Sequence, residues 1–368
     1  MTERQRVALV FGGASSEHAV SCLTAASVAS AIDQEKYEVV GVGITPSGRW
    51  VRFDHDAMTS LALDGKNLPA VGEDAPDAVL LKSSGGAQIA TRADRALDEL
   101  GEIDVAFALL HGPFGEDGTI QGLFEMNGIP YVGSGVLASA VGMDKNYMKL
   151  VLSAAGVSVG PFVTIPPREW AKDRNACLES VNALTFPVFV KPCRGGSSLG
   201  ITKVADPADL PKAIEFAQKY DPKVIIEQGL VDARELECGV LETPDGPRAS
   251  VVAEIRVHSN DGVYDFATKY LPGDQVDIDV PAELPQDVTE RVQALSIKVF
   301  DTLGCEGLAR VDFFLTGENH LVCNEINTMP GFTATSMYPQ LWSASGVNYP
   351  ELIDTLIQQA IGRRPGLR

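Results

Sequence analysis

The chain has 368 residues, 45% of them hydrophobic and 21% charged, an ordinary globular composition in a chain too long for one core, so about two or three domains are expected. Thirty Lys and Arg against 49 Asp and Glu give a formal charge of −19. That balance disfavours nucleic acid or an anionic membrane as a partner, while leaving room for a local positive field that holds a phosphate.

The apolar run of residues 7–11 is too short for a signal-peptide core or a membrane span, so a cytoplasmic enzyme is the expectation. It reads as a buried strand that ends in Gly12-Gly-Ala-Ser-Ser-Glu17-His18. That segment predicts a tight turn and then a helix with serine caps, running to about residue 32. A strand over 38–44 follows. Residues 57–100, rich in Ala, Gly and Asp and weakly periodic, read as a peripheral insertion. A strand over 104–110 opens into His111-Gly-Pro-Phe-Gly-Glu-Asp-Gly118. Such strand–loop–helix alternation predicts a parallel α/β sheet with ligands beyond the carboxyl ends of its strands.

Gly133-Ser-Gly135 closes this unit, and a single helix is expected over 138–155, stopped by Gly156. The middle of the chain turns to strands, over 187–192, 224–228, 236–242 and 249–257. A long amphipathic helix is expected over 287–303 and a last helix over 349–361. Between them lie two strands, over 308–315 and 320–327. Six scattered cysteines form no C-x-x-C pair and no zinc spacing, so reduced core thiols are expected.

Those last two strands carry the strongest chemical signal. Side chains two apart in a strand share a face, so Arg310 and Asp312 point one way, as do Glu325 and Asn327. If the strands pair, two carboxylates, a carboxamide and a guanidinium converge where an apolar sheet would otherwise continue. Oxygen-only donor sets suit Mg²⁺, completed by substrate phosphates. A buried ion-pair network is the structural alternative.

The loops are less specific alone. Gly12 to Glu17 lacks the G-x-G-x-x-G spacing of a dinucleotide loop, and Glu17 reads either as an ammonium ligand or as a capping-region glutamate. His111 is either functional or a satisfied structural histidine. Lys191-Pro-Cys-Arg-Gly-Gly-Ser197-Ser198-Leu-Gly200 joins a strand lysine to a hydroxyl-rich loop able to cradle phosphate, without the Walker spacing. Glu227, Glu235 and Glu237 lie near strand ends, where they could accept bonds from a ribose or an amino group, though solvated charge is the usual explanation. Lys269-Tyr270 precede a Pro-Gly turn that reads as a lid or as a surface turn.

Taken together, Gly12-Gly-x-Ser-x-Glu17, His111-Gly-x-x-Gly-Glu-Asp-Gly118, Met143-Asp-Lys145, Lys191-Pro, Gly-Ser197-Ser-x-Gly200, Lys269-Tyr270 and Glu325-x-Asn327-x-x-Pro-Gly331 resemble the D-alanine–D-alanine ligases of the ATP-grasp superfamily. The resemblance runs from residue 7 to the C-terminal helix and is weakest over 57–100. It implies an α/β ATP-grasp architecture, α+β in its central and C-terminal parts, behind an N-terminal parallel α/β domain. Residues 1–133 would bind the first D-alanine, 134–232 would carry the phosphate loop, and 233–368 the metal and oxyanion residues. It further implies ATP, two Mg²⁺ ions replaceable by Mn²⁺, K⁺ activation and a homodimer.

The same resemblance distributes the roles. Lys145 and Lys191 would hold ATP phosphates, with Lys191 also near the adenine, Glu227 and Glu235 would face the adenine amino group and the ribose, and Asp312, Glu325 and Asn327 would carry the metal. Glu17 would pair with the first D-alanine's ammonium beside His111, with Ser197 and Tyr270 bonded to Glu17. Lys269 would meet the γ-phosphate and the second substrate, and Ser336 the second carboxylate. Arg310 and the Gly331 N–H would face a tetrahedral oxyanion. Tyr270, where D-lactate-using relatives commonly carry Phe, favours D-alanine as second substrate. Cys193 is expected to pack and not to react. A nicotinamide oxidoreductase is opposed by the missing G-x-G-x-x-G, and a non-catalytic nucleotide module by the full lysine and metal set.

Overall fold

The computed structural model describes residues 4–63, 68–82, 87–93, 96–257, 276–317, 319–363 and 366. Lys269 and Tyr270 lie outside the described residues. The described chain forms three sheets.

The first sheet contains β1 (Gln5–Gly12), β2 (Tyr37–Ile44), β3 (Trp50–Phe53), β4 (Asp77–Lys82), β5 (Ala87–Ala93), β6 (Ala96–Glu102) and β7 (Val105–Ala108), in the order β6-β5-β4-β3-β2-β1-β7. Burial on both faces explains why β1 is apolar without alternation from Val7 to Phe11. Val7, Leu9 and Phe11 face one core, while Ala8 and Val10 face a second on the other side. Helix α1 (His18–Ala31) covers the first face. The expected parallel sheet is found in its central strands and corrected beyond them. Only β2, β1 and β7 run parallel, and the pairs from β2 to β6 are antiparallel. Residues 57–100 therefore supply strands β4 and β5 and most of β6, not a mere insertion. Their pattern is weak because small residues such as Ala78, Ala87 and Ala90 make the buried contacts.

The second sheet contains β8 (Phe162–Ile165), β9 (Val188–Pro192), β10 (Thr202–Val204) and β11 (Val224–Gln228), in the order β10-β9-β11-β8. The third contains β12 (Arg234–Thr243), β13 (Gly246–Val257), β14 (Val276–Asp279), β15 (Leu308–Leu315) and β16 (Leu321–Asn327), in the order β14-β13-β12-β15-β16. The long helix Gln286–Leu303 buries Val288, Val292, Val299 and Phe300 against Leu236, Cys238, Val240 and Val311 of that sheet. It stops at Gly304, whose φ of 67° is the left-handed conformation that ends helices. The helices Met337–Ala344 and Tyr349–Gly362 return to the first sheet, packing Tyr338, Trp342, Leu352 and Leu356 with Leu9, Phe107 and Leu109. They join the two ends of the chain in one core.

The single helix expected over 138–155 is two. After α2 (His55–Thr59) and α3 (Thr119–Asn127), α4 (Val136–Met143) stops at Asp144 and α5 (Lys145–Ala154) begins. Asp144 is extended, at φ −85° and ψ 98°, and its carboxylate accepts the N–H groups of Asn146 and Tyr147. Such a cap is worth about 1 kcal/mol. Lys223 donates to both oxygens of the same carboxylate at 2.9 Å. The break makes Lys145 the first residue of a helix whose start is held from two sides.

Among the described residues, no helix is long and apolar enough to cross a membrane.

Candidate active site

A cavity of about 640 Å³ lies where the three sheets meet, and all the sequence-predicted site residues that are described line it. Its first wall is built around Glu17. Strand β1 ends at Gly12, whose φ is 90°; a β-carbon there would lie 2.3 Å from the Ile44 carbonyl oxygen. Glu17 then begins α1, buried, with its carboxylate between two glycines. A β-carbon on Gly112 would come within 2.4 Å of Glu17 Oε2, and one on Gly196 within 2.7 Å. Ser197 donates its hydroxyl to Glu17 Oε1. The expected serine caps are corrected: Glu17 is the N-cap and no side chain caps α1. Ser15 instead joins two loops, accepting the Glu17 N–H at 3.2 Å and donating to the His111 carbonyl at 2.8 Å.

His111 is buried, with Nδ1 3.2 Å from the Met329 carbonyl and Nε2 3.2 Å from the Thr24 hydroxyl. Burial lowers its pKa, partly opposed by the Glu17 charge, so the neutral ring is favoured. Sequence reading passed over Glu116 in the same loop. Its carboxylate accepts the Gly112 N–H at 2.7 Å and the Met329 N–H at 3.3 Å, tying the loop to the Pro330-Gly331 turn. Burial, then the Glu17 charge, push its pKa up to about 8.

A second wall carries the cations. Lys145 Nζ donates to the Gly195 carbonyl at 2.9 Å and lies 3.3 Å from Glu325. Burial works against its charge, but Glu325 and Glu227 more than offset it and raise its pKa. Lys191 reaches one oxygen of Glu227 at 2.5 Å, and Lys149 reaches the other at 2.8 Å. Burial would raise the Glu227 pKa, yet the two lysines depress it far below the carboxylate range. Lys149 was also missed, because a lysine on a mid-helix position normally reaches solvent. Glu235 lines the same cavity from β12.

Between the walls runs the loop 194–200. Ser197 and Ser198 both have positive φ, 47° and 57°, a conformation that non-glycine residues adopt at a cost of about 1–3 kcal/mol. Successive backbone N–H groups in such turns form anion-binding hollows. Asp221 anchors the loop's start, receiving the Arg194 guanidinium at 2.7 and 3.0 Å and its N–H at 2.9 Å.

The strand pair forms as the alternation requires. Arg310 stands opposite Asn327, and Asp312 opposite Glu325; a bulge at Asn324 then shifts the register. Arg310 makes a two-point contact with Asp312 at 2.7 Å and lies 2.9 Å from Glu237. Asn327 Nδ2 donates to Asp312 at 3.0 Å. Glu237 is on β12 opposite Asp312, so what read as a solvated charge is a buried partner. Burial opposes the Arg310 charge, and Asp312 and Glu237 more than offset it, raising its pKa further. Among the described residues, no three His, Cys, Asp or Glu side chains close on one point as a metal site. Two facing carboxylates and a carboxamide are the oxygen set that fits a hard cation completing its shell with phosphates and water.

Gly331 and Ser336 line the far end. Ser336 precedes the helix Met337–Ala344, and its hydroxyl accepts the Thr333 N–H at 3.1 Å. Cys193 is buried, and burial pushes its thiol up to about 12, which suits packing and not nucleophilic attack.

The family model described as D-ala D-ala ligase N-terminus matches residues 6–134, and D-ala D-ala ligase C-terminus matches 151–358. A D-alanine–D-alanine ligase of Mycolicibacterium vanbaalenii is 52% identical over 375 residues, covering 100% of both chains. The D-Ala:D-Ser ligase VanG of Enterococcus faecalis is 34% identical, with a TM-score of 0.81 over 97% of this chain and 100% of that one. The Bacillus anthracis D-alanine–D-alanine ligase complexed with ATP is 27% identical, with a TM-score of 0.71 over 97% and 98%. These structures share the ATP-grasp fold with this chain. Matched in both halves and across its whole length, the chain belongs to the D-alanine–D-alanine ligase family.

Proposed function

We propose that this chain joins two molecules of D-alanine into D-alanyl-D-alanine for peptidoglycan precursor synthesis, converting ATP to ADP and phosphate through a D-alanyl phosphate. One observation carries the reading. A single cavity holds a glycine-boxed carboxylate, Glu17, together with the lysine pair Lys145 and Lys191 and the oxygen set of Asp312, Glu325 and Asn327. An ammonium site and a phosphate site so close together suit activation of an amino acid's carboxylate.

Glu17 holds the first D-alanine's ammonium, beside His111, and Ser197 fixes the Glu17 carboxylate. Glu227, acceptor-only when ionised, faces the adenine amino group, and Glu235 the ribose. Lys145, Lys191 and the loop N–H groups hold the phosphates. A carboxylate oxygen of the first D-alanine bonds to the γ-phosphorus, and the bond from that phosphorus to the β-phosphate bridge breaks, releasing ADP. Asp312, Glu325 and Asn327 would hold two Mg²⁺ ions, or Mn²⁺, which supply neutralisation of the charge on the phosphate oxygens.

The neutral amine of the second D-alanine, its carboxylate held by Ser336 and Lys269, then attacks the acyl carbon. Arg310 and the Gly331 N–H face the oxyanion that develops there. The carbon–oxygen bond to phosphate breaks, phosphate leaves, and the nitrogen loses its proton. Tyr270, in the motif that follows Lys269, supports D-alanine as the second substrate. The D-Ala:D-Ser relative makes D-serine the competitor to test.

In this reading residues 1–133 bind the first D-alanine, 134–232 carry the phosphate loop, and 233–368 carry the metal and oxyanion residues. A cytoplasmic homodimer activated by K⁺ rests on family resemblance alone. The test is ADP release with D-alanine against L-alanine, D-serine and D-lactate, with and without Mg²⁺. Mg²⁺-dependent release that requires D-alanine and yields the dipeptide supports the reading; a preference for D-lactate or D-serine as second substrate at neutral pH overturns it.

A further inference from the structure

Lys149 has no role in the mechanism above, and its side chain is 3% exposed. A buried ammonium is costly unless paired and hydrogen-bonded, so its partners indicate what holds it there. Two are present: Glu227 Oε1 at 2.8 Å and the backbone carbonyl of Asn324 at 3.4 Å. Glu227 is the carboxylate placed at the adenine amino group. Asn324 is the bulged residue of β16, immediately before Glu325, and the bulge is what sets Glu325 opposite Asp312.

Helix geometry makes this more than a pair. Lys145 and Lys149 are four apart on α5 and so share a face. Lys145 meets the Glu325 side chain, and Lys149 meets the carbonyl just before it. The Asp144 cap fixes where α5 begins and hence where both lysines stand. Lys191 pulls on the other oxygen of Glu227. With Lys149 present, the carboxylate is held from two sides; without it, Lys191 alone would draw Glu227 toward the phosphates.

We propose that Lys149 is a positioning residue for nucleotide selection: it holds the Glu227 carboxylate aimed at the nucleobase, and ties that carboxylate to the strand bearing Glu325. An ionised carboxylate accepts hydrogen bonds and donates none. It fits the 6-amino group of adenine and repels the 6-oxo group of a hypoxanthine base. Lys149 therefore enforces a 6-amino base, and the inference rests on the placement of Glu227 in the preceding section.

The experiment compares kcat/KM for ATP and for inosine triphosphate, which changes the 6-position alone among exocyclic groups, in wild type, Lys149→Gln, Lys149→Arg and Glu227→Gln. Lys149→Gln keeps a donor for the Asn324 carbonyl but removes the charge, and should narrow the ATP preference at least tenfold. Lys149→Arg should retain the preference within about threefold, because the charge remains. If Lys149→Gln does not fold, Lys149→Met fits the buried site and carries the same expectation. Equal losses for both nucleotides in the neutral variant, with the ratio unchanged, overturn the proposal as a purely structural effect. A lowered ratio in Glu227→Gln with an unchanged ratio in Lys149→Gln sinks the Lys149 role alone. An unchanged ratio in Glu227→Gln sinks the placement of Glu227 at the base, and this inference with it.

Discussion

The hydroxyl of Ser197 donates to the carboxylate of Glu17 across 180 residues of sequence, joining the loop 194–200 to the N-terminal sheet. The bond holds the loop 194–200 against Glu17, and the glycines at 112 and 196 leave the carboxylate room.

Replacing that hydroxyl tests its role. Ser197→Ala should leave the fold intact and raise the KM for the first D-alanine, since Glu17 loses the partner that orients it. A hydrogen bond to a charged group is worth about 1.5–3 kcal/mol, or roughly ten- to hundredfold. Initial rates across D-alanine concentration check this, and an unchanged KM would count against the assignment of Glu17 and Ser197.

Glu116 makes a prediction about pH. Burial, then the Glu17 charge, move its carboxyl from an ordinary 4.5 to about 8. Between those values the folded chain keeps a proton that the unfolded chain has lost. Its contribution to stability is thus full below about pH 4.5 and disappears as pH rises through about 8. Glu116→Gln keeps an acceptor for the Gly112 N–H and cannot ionise. Its stability relative to wild type should rise by at least about 1 kcal/mol between about pH 5 and pH 9. Urea unfolding at the two pH values reads this directly; parallel pH profiles for the two proteins would refute it.

Arg310 offers a stability test. It neutralises Asp312 and Glu237, both buried. Arg310→Met should destabilise the protein by about 3–5 kcal/mol, because two buried carboxylates lose their common cation, and Mg²⁺ should recover part of the loss. A change in thermal midpoint indistinguishable from wild type would contradict the network.

Much of this site was legible in the sequence, for a definite reason. Within 310–312 and 325–327 a period of two tells which side chains share a face, so the pairing of Arg310 with Asp312 and of Glu325 with Asn327 was legible. The bulge at Asn324 that sets Glu325 opposite Asp312 was not. Glu237 and Lys149 were not legible, because their burial depends on which strand lies beside β15 and on where α5 begins. Local sequence carries neither fact. The break at Asp144 had a signal that was passed over: an aspartate before Lys-Asn-Tyr is a good N-cap, but the apolar period continues through it. Glu116 is half-buried where its loop meets Met329, 213 residues away. The first sheet departed from a parallel reading because short links such as Thr45 to Trp50 turn the chain back on itself, and small residues hide the strand period beyond them.

Glu325 separates the metal reading from a structural ion-pair network. Glu325→Gln keeps the shape and an oxygen for Lys145 but removes a charge. Activity should fall at least about hundredfold with the far-ultraviolet spectrum unchanged, and the Mg²⁺ concentration for half-maximal rate should rise. Wild-type turnover at ordinary Mg²⁺ would leave the network as the better account.

The central claim is that the first D-alanine is activated by its own carboxylate oxygen. The direct measurement is to supply D-alanine carrying ¹⁸O in its carboxylate, with unlabelled ATP, and to weigh the phosphate released. The oxygen that attacks the γ-phosphorus leaves with it when the peptide bond forms, so one labelled oxygen should appear in phosphate for each dipeptide made. Unlabelled phosphate accompanying dipeptide formation would contradict the account.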